Sequence, residues 1–445
     1  METSPKKHDN PIFKDSFAEL PLKNEAVAWP WLARIRQGSY ERFKLIGFPT
    51  RELEAWKTIS LDPLLGASFV SSERRSVPEL GPGLLKNFHF SEKDSRIVFV
   101  NGFYSDELSS AGFLPHGVFL GRRSENSELT PDLVSPYLAR DFQNDTNAFS
   151  LINAFSFKEG AFITVPKDTQ LDKPLQIFFI TSNPGENGLA IHPRVLIVLG
   201  DRSKAEVIVH FAGFSGDKYF NNACAEIYLG EGASLDCGTV QRESKSAVGF
   251  LSSRYFLKKK SSLNGLSFSQ GGRLLRNEVQ VRFDGAQASA SLKGLSMLSG
   301  ESQAFHHVTA DHAAPHCVSR QFYKNILADR SKSEFNSLVH VGCDAQKSDS
   351  NQLNKNLLLS DLAQCYSRPQ LKIDNDDVSC THGATVGQLE KDELFYLRSR
   401  GFSEALARFV LTYGFAEEIL QEIKPEALKK ELESLVSEEL KRVIQ

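Results

Sequence analysis

Cys380 and His382 stand out as a chemical pair by residue type and spacing. They lie in the stretch IDNDDVSCTHGATVGQLEKDELFYLRSRGF, from Ile373 to Phe402. In an extended segment side chains alternate, so Val378, Cys380 and His382 face one way while Ser379 and Thr381 face the other. A thiolate and an imidazole separated by about 7 Å of backbone, two strand rises, can turn toward one metal ion or one sulfur species. Two donors are too few for a closed site. Either further ligands arrive from elsewhere, or the pair is a buried cysteine beside a hydrogen-bonded histidine.

A second group of donors is denser. His306, His307, His312, His316 and Cys317 place five potential ligands within twelve residues, with His312 and His316 at a spacing found in zinc sites. No standard four-ligand pattern is complete, and a coiled β architecture spreads such residues over different turns, so a structural or adventitious cluster is expected. The six cysteines are scattered without a C-x-x-C, which argues against zinc ribbons and thioredoxin chemistry. Cys237 shares parity with Leu235, Cys343 with Val339 and Val341, and Cys365 with Ala363; each is expected to face an apolar interior, where a thiol is inert. Phosphate-cradling and dinucleotide glycine motifs are missing, as are G-x-S-x-G and H-E-x-x-H, so no bound nucleotide or hydrolytic site is expected.

The elements that must position these residues change character along the chain. Phe13 to Leu65 reads as helix with breaks. Gly47-Phe48-Pro49-Thr50 closes one helix, and Thr50 caps another whose Leu53 and Trp56 share a buried face. Ser71 to Phe88 is Ser-, Pro- and Gly-rich, a linker. Short β-branched and aromatic runs follow at Arg96–Val100, Ala161–Val165, Gln176–Ile180 and Val195–Leu199, with no room between them for crossover helices. An internal echo accompanies them: LGDRSKAEV at Leu199 returns as LADRSKSEF at Leu327, with looser copies at Leu229, Phe283 and Leu359. The spacings of 30, 54, 44 and 32 are irregular. Turns followed by alternating small and apolar residues suit stacked coils of a parallel β-helix; an antiparallel sandwich is the rival. The 32 Phe against 2 Met suit a rigid β core.

The C-terminal part is helical. Leu394, Phe395 and Leu397 form a stripe ending at Gly401. Ser403 caps a helix in which Leu406, Phe409, Val410 and Tyr413 recur at helical spacing before Gly414. After Pro425, Leu428, Leu432, Leu435 and Val443 fall on one side, with Lys429, Lys430, Glu431 and Glu433 largely on others. The domain expectation is a helical region and linker over 1–92, a β-helix over 93–380 and a helical domain over 381–445. A net charge of −3 and 24% charged residues speak against a nucleic-acid or anionic-membrane surface. The opening residues lack a secretory apolar core and the aliphatic runs are short, so a cytoplasmic protein without membrane spans is expected.

Two stretches carry a family resemblance. CTHGATVGQLEKDELFYLRSRG resembles the C-terminal signature of the SufB/SufD family of the SUF iron–sulfur cluster assembly system, and GFPTRELEAWKTISLDPL resembles the family's N-terminal phrase. His382-Gly383-Ala384-Thr385 matches the SufD type, whereas SufB proteins tend to read H-E-A-T. The resemblance implies a right-handed parallel β-helix between helical ends, and a non-catalytic scaffold subunit. It implies a SufB-like paralogue as partner, with a nascent iron–sulfur cluster built transiently at their interface; His382, with Cys380 beside it, would be the donor from this chain. It also implies that the C-terminal helices contact a SufC-like ATPase, through Leu394, Phe395, Arg398, Leu406, Phe409 and Tyr413, that the isolated chain forms a homodimer, and that no nucleotide is bound by this chain. A SufB-type subunit, a β-helical polysaccharide-processing enzyme and a plain structural β-helix are the alternatives at this stage.

Overall fold

The computed structural model describes residues 30–74, 95–110, 114–122, 131–183 and 185–444. The part of the expected linker beyond Glu73 and Arg74, and the first helical residues before Pro30, lie outside the described residues. The body is a parallel β-solenoid of about eight turns. From β8 onward its chain alternates between two sheets, even-numbered strands building one and odd-numbered strands the other.

Sheet A contains β4 (Phe119–Arg122), β5 (Gly160–Val165), β8 (Arg194–Leu199), β10 (Tyr219–Leu229), β12 (Val248–Leu257), β14 (Leu274–Phe283), β16 (Gln303–His312), β18 (Lys332–Val341) and β20 (Gln364–Ile373), in that spatial order. Short β1 (Phe69–Ser71) and β7 (Gly188–Ile191) pair beside it. Sheet B runs from β3 (Phe103–Tyr104) and β2 (Ser95–Val100) through β6 (Leu175–Thr181), β9 (Lys204–Gly213), β11 (Ser234–Glu243), β13 (Ser262–Gly271), β15 (Ser289–Leu298), β17 (Val318–Leu327) and β19 (Asp349–Leu358) to β21 (Ser379–Gly387). The pairing is parallel except for β2 with β3 and β4 with β5.

The echo in the sequence is explained by the corners. Leu199, Leu229, Leu257, Phe283, His312, Val341 and Ile373 stand in one register column at the passage from sheet A to sheet B. Leu327 belongs to the opposite corner, paired with Leu298 and Leu358, and Leu359 follows directly. The spacings are irregular because the series skips the coil at Leu257, which makes the 54, and passes from one corner to the other between Phe283 and Leu327, which makes the 44. At the first corner a left-handed residue recurs in each coil: Arg202, Gly232, Lys260, Gln287, His316 and Lys347 all have φ between 56° and 67°. The N–H of each bonds a carbonyl in the following coil, from Arg202 on Glu231 at 2.8 Å to Lys347 on Asp377 at 2.6 Å.

Inside the coil, apolar side chains dominate the early turns and polar ones enter the later turns. One column reads Val207, Cys237, Gly265, Leu292, Gln321, Gln352 and then His382. Its neighbour reads Leu263, Ala290, Ser319, Ser350 and then Cys380. The buried polar groups bond one another: Ser319 to Ser350 at 2.9 Å and Asn325 to Asn356 at 2.7 Å between successive coils, and Gln352 to Ser337 at 2.6 Å between the two sheets. Each buried Leu, Val or Phe of the apolar turns contributes roughly 1.5–3 kcal/mol.

Helices cover both outer faces. Over sheet A lie α1 (Pro30–Ile46), a 3₁₀ turn at Glu54–Trp56, α2 (Asp62–Leu65), α3 (Pro131–Val134) and α4 (Ala148–Ser156). Gly47, at φ +66°, ends α1 as expected, with its N–H on the Phe43 carbonyl. The helix expected after Thr50 is only the 3₁₀ turn: Trp56 is buried against Phe149 and Phe250 while Leu53 is exposed. Helix α4 departs from the expectation of helix-free connections. Asn147 caps it by accepting from the N–H groups of Phe149 and Ser150, and all its residues are buried.

Over sheet B lie α6 (Glu404–Leu420) and α7 (Glu426–Ile444), preceded by α5 (Lys391–Ser399). Ala416, Ile419, Leu428, Leu432 and Val436 pack on Ile208, Val240, Phe268, Leu295 and Ile326. Helix α6 passes through Gly414 instead of stopping there, because Ala416, Ile419 and Leu420 bury beyond it. The boundary expected at 380/381 cuts β21; helix resumes at Lys391. Among the described residues no helix is long and apolar enough to cross a membrane.

Candidate functional site

Cys380 and His382 sit on β21, the last strand of sheet B, at the open end of the solenoid. β21 pairs with β19 and β20 with β18, so each ends its sheet. Cys380 is half-buried against the rim of the inner core. Burial holds its thiol above the usual value, aided by the nearby Asp349 charge and opposed by the Ser350 N–H. His382 shares that face two residues on, stands in register with Gln352 and is exposed. The strand around them is steadied from β19: Asn351 donates to the Thr381 hydroxyl between them at 2.8 Å and Asn356 to the Thr385 carbonyl beyond them at 3.0 Å. Among the described residues no group of three His, Cys, Asp or Glu side chains is placed to hold a metal ion. The chain thus presents one sulfur and one nitrogen donor at an edge, a set that suits iron but leaves most coordination positions to other molecules.

The His306–Cys317 group is dispersed. His306 points inward and bonds Ser296 at 2.8 Å; burial lowers its pKa to about 4. His307 faces outward against Arg276 at 3.1 Å. His312 is buried against Ser319 at 2.9 Å, His316 occupies an exposed left-handed corner, and the Cys317 thiol lies 3.3 Å from the Gly285 carbonyl. Alternation along β16 and the turn after it separates residues that are close in sequence.

The other cysteines divide. Cys237 is buried and its thiol is pushed up to about 11, in line with an inert interior role. Cys343 is exposed, contrary to expectation, because β18 ends at Val341 and parity no longer applies. Cys365 is half-buried on β20.

On the C-terminal helices, α5 buries nothing: Phe395 is 74% exposed, and Leu394 and Arg398 flank it. The α6 stripe is split: Leu406 and Val410 face outward, while Phe409 and Tyr413 are half-buried against the apolar cluster over sheet B. The buried face of the helix is Ala407, Thr412, Ala416, Ile419 and Leu420, and Phe409 and Tyr413 stack at 6.0 Å on its flank. Ser403 caps α6 as expected, accepting from the Leu406 N–H at 3.2 Å. Sequence reasoning missed Glu431. It lies three residues after Leu428 and four before Leu435, on the buried face of α7, where its carboxyl is 3.8 Å from Arg242 and 3.9 Å from His210.

Comparison with known proteins agrees with this arrangement. Residues 179–415 match the family described as "SUF system FeS cluster assembly, SufBD core domain", and residues 13–177 match "SufBD protein N-terminal region". An iron–sulfur cluster assembly SufBD family protein of Synechocystis sp. is 30% identical over 416 residues, covering 91% of this chain and 90% of that protein. The iron–sulfur cluster assembly protein SufD of Escherichia coli is 29% identical over 395 residues, covering 88% and 90%. SufD of Bacillus subtilis is 26% identical over 345 residues, covering 76% of each chain. With both family regions matched in order along the solenoid and its N-terminal cover, the chain belongs to the SufBD family of the SUF iron–sulfur cluster assembly system.

Proposed function

We propose that this chain is a non-catalytic, SufD-type scaffold subunit whose open coil end pairs with a SufB-like chain. The observation that carries the reading is the coincidence of two free sheet edges, β20 and β21, with an incomplete donor pair on one of them. A second chain docked edge to edge satisfies the exposed backbone groups and brings the missing ligands to Cys380 and His382. The nascent cluster is then cargo, held between subunits and released when they part. In the isolated chain a second copy takes the same edge.

The exposed residues of α5 and α6, Leu394, Phe395, Arg398 and Leu406, with Phe409 and Tyr413 at the flank, are the docking surface for a SufC-type ATPase. Nucleotide chemistry belongs to that partner. The test is co-purification of the tagged chain from its own cytosol, wild type beside His382→Ala, with subunits identified by mass and iron and labile sulfide counted. The expected result is an ATPase and a SufB-like chain in both preparations, with iron and sulfide lost in the variant. Capture of neither protein by the wild type rejects the scaffold reading; undiminished cluster in the variant rejects the role of His382.

A further inference from the structure

Residues 47–66 cross the outer face of sheet A from its middle to its last strand. The Arg276 guanidinium of β14 lies 3.9 Å from the Trp56 ring centre and donates to the Ala55 carbonyl at 3.1 Å. On β18, Lys332 donates to the Thr58 carbonyl at 2.6 Å, and the Thr58 hydroxyl donates to the buried carboxylate of Glu334. At the edge, Arg368 of β20 donates to Glu54 at 2.9 Å. One segment therefore fastens the outermost strand to strands buried further in.

Sheet B is covered differently. Helix α6 reaches as far as β19, where Lys355 meets Glu418 at 3.2 Å. Among the described residues, the side-chain hydrogen bonds of β21 run back to β19 alone. The two halves of the terminal coil are held unequally.

We infer that residues 47–66 are a brace that presents β20 as a preformed edge to a second SufBD-type chain and leaves β21, with Cys380 and His382, free to settle against it. The inference rests on the pairing reading above. A second coil end is the fitting occupant because both sheets stop at the same coil: a partner ending in two strands satisfies both edges at once, whereas a single peptide satisfies one. A preordered β20 lowers the ordering cost of that encounter, while an unbraced β21 adapts to the cargo.

Hydrogen exchange on the full chain, at a concentration where light scattering shows a monomer, tests this. The amides of β20 are expected to exchange about tenfold or more slowly than those of β21. Thr58→Val combined with Glu54→Arg is expected to speed exchange in β20 about tenfold, leave β12 to β16 unchanged, and weaken capture of a SufB-like chain about tenfold. Should that pair fail to fold, Arg368→Gln cuts the same tie from the strand side. Equal exchange of β20 and β21 in the wild type, or β20 unmoved in the variants, overturns the brace. A rise throughout β12 to β16 also overturns it, since the segment would then support the whole fold. Exchange as expected with undiminished capture overturns its role in pairing. If the wild type shows the exchange difference yet captures no second chain, the pairing reading fails and the use assigned to the brace fails with it.

Discussion

The coil containing β18 and the coil of β20 and β21 use strands of nearly equal length, yet they live in different surroundings. Most residues of β18 are buried; none in β20 or β21 is. Inner coils are covered by neighbours above and below and by helices outside, so their side chains specify the fold. The terminal coil has one neighbour, and its Ile373 and Val386 are exposed, while the exposed Tyr366 meets only the Lys332 ammonium among the described ring contacts. Pro369 lies within β20, a residue a sheet tolerates at an edge. The contrast teaches that the open end is the least self-packed part of the solenoid, its edge blunted against indiscriminate pairing by a proline and charged residues, as the proposed pairing requires.

The largest effect that can break this comparison comes from deleting buried and exposed side chains side by side. Phe283, fully buried and stacked on His312 at 4.3 Å, is expected to cost roughly 3–5 kcal/mol as Phe283→Ala. Val386→Ala at the open end is expected to stay within about 0.5 kcal/mol. Denaturant unfolding of both variants decides, and similar losses would mean that the end coil is as integral as the middle. The α6 stripe gives a somewhat smaller effect. Replacing the exposed Leu406 and Val410 by Asp should weaken docking of a SufC-type ATPase by about 2 kcal/mol or more while leaving the unfolding midpoint of the solenoid in place. A collapse of the fold would reassign the stripe to internal packing.

The smallest effect concerns the covered face of sheet B. Burial raises the Glu431 carboxyl to about 7, against the attraction of Arg242, while burial keeps His210 neutral by lowering it to about 3. A carboxyl raised in the folded state adds stability that is fully present below its ordinary value near 4.5 and lost as pH rises through about 7. Docking of α7 should therefore weaken between about pH 4.5 and 7 by roughly 1–3 kcal/mol, and Glu431→Gln should flatten that slope. Hydrogen exchange in α7 across this range measures it; an equal slope in the variant would assign the pH dependence to other groups.

Much of the architecture was legible in the sequence. β-branched runs bounded by turn residues marked the strands, and Gly47 and Ser403 marked their helix ends because capping is a local matter. Misreadings occurred where a local rule met a tertiary one. Two corners with the same turn chemistry merged into one series. Trp56 promised a helix, but its burial between Phe149 and Phe250 requires only a turn. Glu431 looked solvated by type, although its position between Leu428 and Leu435 was the signal for burial. Cys343 was assigned by a parity that ended two residues earlier. The site pair was visible as residue types at a strand spacing; that it caps a sheet edge became clear only when the coils were counted, although Pro369 already hinted at an edge.

The polar columns inside the late coils bear on register. A stack of strands of similar length and apolar face can slip by a whole coil with little loss of hydrophobic burial. Ser319 with Ser350, Gln352 with Ser337 and Asn325 with Asn356 do not tolerate such a slip, because each would leave a buried donor or acceptor unmatched. These groups act as addresses, telling each coil which neighbour is its own. An error of one coil would seat β21 on a strand other than β19 and so replace Ser350 and Gln352, the register partners of Cys380 and His382, with other neighbours.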